Sequence, residues 1–120
     1  MKRLETSRNL IATTKYYGLF AVIYVRSDLS VYHLVELKAY LERVLKKRKI
    51  IAFQLERCLH IDSTAIGLVI NVAKKLKATR GLLCVTNPSK EARKIFEALK
   101  ISIPIFDSVE HLRKKLAEGE

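Results

Sequence analysis

Asp62-Ser63-Thr64 sets an acid directly beside two hydroxyls, just ahead of a run of small and apolar residues, Ala65-Ile66-Gly67-Leu68. Two chemistries suit such a stretch. A hydroxyl becomes a nucleophile when a base activates it. It can also receive a phosphoryl group, because a helix N-terminus carries partial positive charge and points free N–H groups outward. The first chemistry has little around it. No nucleophile elbow flanks Ser63. His33, His60 and His111 are scattered and share no metal-ligand spacing with Cys58 and Cys84. The four glycines, Gly18, Gly67, Gly81 and Gly119, are too far apart to form a phosphate loop. Triads assemble in space, so a small enzyme stays open as one reading. The same stretch also has a purely structural use. The helical pattern begins at about Thr64, so Asp62 or Ser63 is a good N-cap for the orphan N–H groups of the first turn. Cap and phosphoacceptor are compatible, because a helix start that needs an oxygen is also a place where phosphate can sit.

The elements around the stretch follow from periodicity. Leu10–Tyr17 and Leu19–Val25 are β-rich runs separated by Gly18 and read as a hairpin. Ser30 is a plausible N-cap for a helix with Leu34, Leu37, Leu41 and Val44/Leu45 at helical spacing and a strongly basic last turn. Ile50–Leu55 is almost wholly apolar, as befits a strand covered on both faces. After the loop 56–61, a second helix puts Ala65, Val69, Val72, Ala73 and Leu76 on one face, and Gly81 is placed to stop it. Leu82–Val85 is a short buried strand. Pro88 stands near the start of a third helix, with Ala92, Ile95, Phe96 and Leu99 inward. Ile103–Phe106 carries a proline and belongs at a sheet edge. A last helix is capped by Asp107 or Ser108 and turns Val109, Leu112 and Leu116 inward. The order β-β-α-β-α-β-α-β-α implies an α/β fold with a largely parallel sheet.

At 120 residues the chain has the length of one domain, expected over 1–120. Its 23 basic and 12 acidic residues leave a net +11, which permits a nucleic-acid, membrane-surface or acidic-protein partner without choosing among them. The cations cluster at helix ends, where the helix dipole favours them, so a solvated surface explains them. Nucleic-acid binders interleave aromatics with the basic stripe. Here the aromatics fall mainly in strands and on apolar helix faces, so no nucleic-acid partner is expected, although a basic nucleic-acid-binding domain stays as an alternative. Two unpaired cysteines suit a reducing compartment. The basic start, Met1–Leu10, lacks an apolar region to make it a signal peptide, and Gly18–Val25 is far too short to cross a bilayer. A cytoplasmic protein without membrane insertion, cofactor or metal is the expectation.

From Ile50 onward the sequence resembles the STAS domain, the fold of bacterial anti-sigma factor antagonists. The resemblance rests on Asp62-Ser63-Thr64-Ala65-Ile66-Gly67, set between a strand and a helix, followed in order by Gly81-Leu82-Leu83-Cys84-Val85, the Pro88 helix containing Phe96, and the final strand and helix. The family motif reads Asp-Ser-[Ser/Thr]-Gly-apolar-Gly, so Ala65 stands at a usual glycine. A Gly-x-Leu-Asp stretch often precedes the family's first helix. Here Ser27-Asp28-Leu29-Ser30 aligns with it, putting Ser30 at the Asp, with Asp28 as the other possibility. The resemblance implies a mixed sheet of about five strands, with about four helices mainly on one face, and a protein-binding module without catalysis. It further implies partner switching in transcription regulation. Unphosphorylated, the domain binds a cognate anti-sigma factor that is itself a serine kinase. Phosphorylation on Ser63, with Thr64 the lesser candidate, releases it, and a phosphatase resets it. The implied partner-binding residues are Asp28, Ser30, Asp62, Ser63, Thr64 and Ile66, with Lys74 on the flank. A second implication is a STAS subunit of an ABC-type lipid transporter or a stress-signalling complex, whose hydroxyl contacts a partner without being phosphorylated.

Overall fold

A computed structural model describes residues 10–118. The basic opening segment, 1–9, and Gly119 lie outside the described residues. Strands β1 (Ala12–Tyr17) and β2 (Phe20–Val25) form an antiparallel hairpin with Tyr17 opposite Phe20, so Gly18 and Leu19 alone make the turn. Strands β3 (Ile50–Gln54), β4 (Leu82–Thr86) and β5 (Ile105–Phe106) then add in parallel, giving the order β1-β2-β3-β4-β5. The helices are α1 (Leu34–Leu45), α2 (Ser63–Ala78), α3 (Lys90–Ala98) and α4 (Val109–Glu118).

Alternation along the strands divides the core between the two sheet faces. One face, with Ile23, Ile51, Phe53, Leu83 and Val85, packs against Leu37 and Leu41 of α1, Val69 and Leu76 of α2, and Ala92 and Phe96 of α3. The other face, with Phe20, Val22, Ala52 and Cys84, is covered by Leu112 of α4, and Val109 and Leu116 pack beside it. Three helices on one face and one on the other account for a β3 that is apolar throughout. Both cysteines are free and buried, and burial pushes each thiol up to about 12. Neither is available as a thiolate ligand or nucleophile at neutral pH.

Three local details differ from the periodicity. The first helix opens with a 3-10 turn, Val31–His33. Ser30 caps it, and buried His33 completes a capping box by accepting the Ser30 N–H at Nδ1, 3.0 Å away. A tight three-residue turn precedes α1 because His33 fills the place that Glu or Gln usually takes. At the end of α2, Arg80, not Gly81, adopts the left-handed conformation, with φ 66°. Gly81 is needed for a different reason: a Cβ there would lie 2.5 Å from the Lys49 carbonyl oxygen. Finally, Leu99 is exposed because α3 ends at Ala98 and Leu99 is its C-cap.

Parallel pairing gives the sheet two unlike edges. The loops leading into α1, α2, α3 and α4 gather where the parallel strands end, which is where ligand and partner sites of open α/β sheets are commonly found. The helices run back, so the ends of α1 and α2 gather where those strands begin.

Candidate functional site

The candidate site is the carboxyl edge around Asp62. Strand β3 ends at Gln54, and the chain must cover residues 55–61 before α2 begins. Ser89, the N-cap of α3, ties this loop down. Its hydroxyl donates to the Cys58 carbonyl at 2.7 Å and accepts the Ala92 N–H at 3.0 Å, and its N–H donates to the Leu55 carbonyl. The end of the loop joins the segment before α1 through a parallel bridge, Leu29 with Ile61. There the Leu29 N–H donates to the His60 carbonyl, and the Asp62 N–H to the Leu29 carbonyl.

Asp62 is the N-cap of α2, with extended backbone at φ −90° and ψ 172°. One carboxylate oxygen, Oδ1, accepts the Ala65 N–H at 2.9 Å and the Thr64 hydroxyl at 2.8 Å. The other, Oδ2, accepts the Val31 N–H at 2.9 Å. A single carboxylate therefore holds the start of α2 and the turn before α1 in one register. The Ala65 N–H is the largest influence keeping the Asp62 carboxyl below its ordinary value, and the Thr64 hydroxyl and Val31 N–H act in the same direction.

Ser63 is the first residue of α2 and is exposed. Its hydroxyl makes no hydrogen bond among the described residues, although both neighbours are tied: Thr64 donates to Asp62, and Asp62 accepts three bonds. No hydrogen bond links His33, His60 or His111 to Ser63 among the described residues. The described residues also hold no group of His, Cys, Asp and Glu placed to bind a metal.

The other residues singled out in the sequence fall in three places. Asp28, Ser30 and Asp62 line one shallow depression with Tyr32, His33 and His60. Ile66 turns inward and is buried in the core, so it backs the site from behind. Lys74 is exposed on the same helix face as Ser63, because eleven residues at 3.6 per turn return nearly to the same angle. The rise places it about 16 Å along the axis, well away from Ser63. Sequence reasoning missed His33, read there as an isolated histidine. Its position three residues after an N-cap serine was the available signal.

The STAS domain family matches residues 11–112, and the chain belongs to that family. No curated protein matches it by sequence. Among solved structures, it is similar to the unphosphorylated anti-sigma factor antagonist SpoIIAA at 21% identity and a TM-score of 0.74, over 92% of this chain and 98% of that one. The phosphorylated form of SpoIIAA, a Bacillus cell-fate determinant, aligns at 20% identity with a TM-score of 0.70, over 88% of this chain and 99% of that one. An anti-sigma factor antagonist candidate from Thermotoga maritima, TM1081, aligns at 16% identity with a TM-score of 0.79, over 87% of this chain and 92% of that one. At these identities the likeness defines the fold: the five-stranded mixed sheet with four helices expected from the sequence. No helix among the described residues is long and apolar enough to cross a membrane.

Proposed function

We propose that this STAS domain is an anti-sigma factor antagonist that binds a serine kinase of the anti-sigma type and is released by phosphorylation on Ser63. The observation that carries the reading is the contrast within the motif. Asp62 and Thr64 are committed to the helix cap, whereas the Ser63 hydroxyl is exposed at the first position of α2 and makes no hydrogen bond among the described residues. A kinase can reach that oxygen without breaking a hydrogen bond of the fold. The depression holding Asp28, Ser30 and Asp62 is the adjoining surface for the partner, and Thr64 is tied to it through its hydrogen bond to Asp62. Phosphate brings about −1.5 to −2 charge and bulk to a surface that must fit closely. A penalty of about 2.8 kcal/mol weakens binding roughly 100-fold, enough to release the partner. A phosphatase then restores the binding form.

The test is incubation of the full chain with ATP and the anti-sigma kinase that binds it, followed by peptide mass spectrometry. One phosphoryl group on Ser63, absent from Ser63→Ala, is expected. Ser63→Ala should stay bound to the kinase and Ser63→Asp should bind it weakly. A bound kinase that labels neither Ser63 nor Thr64 would overturn the switch and leave a non-phosphorylated scaffold role.

A further inference from the structure

The amino edge of the sheet carries a feature unrelated to Ser63. Segments 43–49 and 74–81, the ends of α1 and α2 with their exits, contain nine cations and no acid. Helix dipoles explain a cation at each end separately. They do not explain what the fold does next, which is to bring the two ends together. The Leu82 N–H donates to the Lys49 carbonyl at 2.9 Å, and that carbonyl lies against Gly81. Phe20, Ile50 and Leu82 are in register, so Leu19, Lys49 and Gly81 each stand one residue upstream on neighbouring strands. That row spans roughly 10 Å.

Leu19 is the apolar member of the row. It occupies the two-residue hairpin tip and is 69% exposed, next to the thickest cluster of charge. Beside it, Tyr16 of β1 is also exposed, with the Lys47 ammonium 5.2 Å and the Arg48 guanidinium 5.1 Å from its ring centre. The Arg43 guanidinium sits 5.2 Å from the ring of Tyr40.

We propose that this edge is a docking surface for an anionic lipid bilayer, with Leu19 dipping between headgroups and the cations of both helix ends meeting lipid phosphates. Two observations choose a bilayer over a nucleic acid. A bare leucine at a hairpin tip gains from an apolar boundary and gains nothing from a phosphodiester chain. The tyrosine rings that could stack on bases already hold cations, and stacking would have to displace them. A polybasic surface with one apolar tip gives reversible adsorption and not insertion. The edge lies at the far end of α2 from Ser63, so the docked domain would hold its candidate switch away from the lipid.

Sedimentation of the full chain with vesicles tests this, comparing mixed phosphatidylglycerol–phosphatidylcholine vesicles with phosphatidylcholine alone. Binding only to the anionic vesicles, falling with added salt, is expected. Replacing two of the exposed lysines, Lys46→Glu with Lys47→Glu, should weaken it by roughly tenfold or more. Leu19→Ser should weaken it about fivefold and leave thermal unfolding unchanged. A single-stranded oligonucleotide is the competing probe. Equal binding to both vesicle types, no binding to either, indifference to Leu19→Ser, or capture of the oligonucleotide in preference to vesicles would each overturn the proposal.

Discussion

The two edges of the parallel strands are built by different means. At the carboxyl edge, side chains reach backbone groups far away in sequence: Asp62 to Val31, and Ser89 to Cys58. At the amino edge, backbone meets backbone. Lys49 and Gly81 approach so closely that a methyl group does not fit, and the side chains there point outward as charge. The proposed role of Ser63, presenting one hydroxyl to a partner, would gain from directional ties, because hydrogen bonds fix geometry. The proposed docking to a diffuse counter-charge would need only a rigid base and exposed cations.

Substitutions can break or sharpen this contrast, and urea denaturation reads all of them. Gly81→Ala should cost the most, about 1–3 kcal/mol, because the new methyl meets a backbone carbonyl that cannot swing away. Asp62→Ala comes next, at about 1–2 kcal/mol, since it uncaps α2 and frees the turn before α1. This loss should depend on pH. The folded carboxyl titrates below its ordinary value, so its contribution is fully present above about pH 4 and is lost as pH falls through the lower folded value. The difference between Asp62→Asn and the parent should therefore shrink on acidification below that point. If the difference holds constant, the charge of Asp62 plays no part.

Gly67→Ala should act in the opposite direction. A Cβ there meets nothing within 4 Å, so the helix should gain up to about 1 kcal/mol. Gly67 lies one turn beyond Ser63 on the exposed side of α2. If the same substitution also weakens kinase binding, a partner backbone approaches there. The smallest effect belongs to Ser63→Ala, within about 0.5 kcal/mol, because its hydroxyl makes no hydrogen bond among the described residues. A larger loss would mean that Ser63 serves the cap after all.

Much of the architecture was legible because each element keeps its own period. The almost continuous apolar run of β3 announced two covered faces, and Pro104 announced the edge next to β5. Asp62-Ser63-Thr64 could be placed at a helix start, but the division of labour among the three depends on contacts in space. The cap could have been Asp62 or Ser63, and only the Oδ1 contacts assign it to Asp62. Ile66 belongs to the same motif as the exposed Ser63 and Thr64, yet its place on the helix turns it, with Ala65, into the core. Gly81 was legible as a stop but not for its reason, since the Lys49 carbonyl that requires it lies on another strand's approach. The meeting of Tyr16 with Lys47 and Arg48 was likewise invisible, because some thirty residues separate them. Such long-range pairs are where local patterns carry no signal.

The order β1-β2-β3-β4-β5 has a consequence for how the protein is made. Every strand pairs with its neighbours along the chain, and Phe20 to Ile50, Ile50 to Leu82 and Val85 to Ile105 are the steps between parallel partners. No strand must wait for a distant segment to be inserted beside it. A hairpin can form first, and each later strand–helix unit can settle on a sheet whose docking edge already exists. Growth in one direction of this kind suits a chain emerging gradually from the ribosome, and it keeps the loops to be closed at each step short.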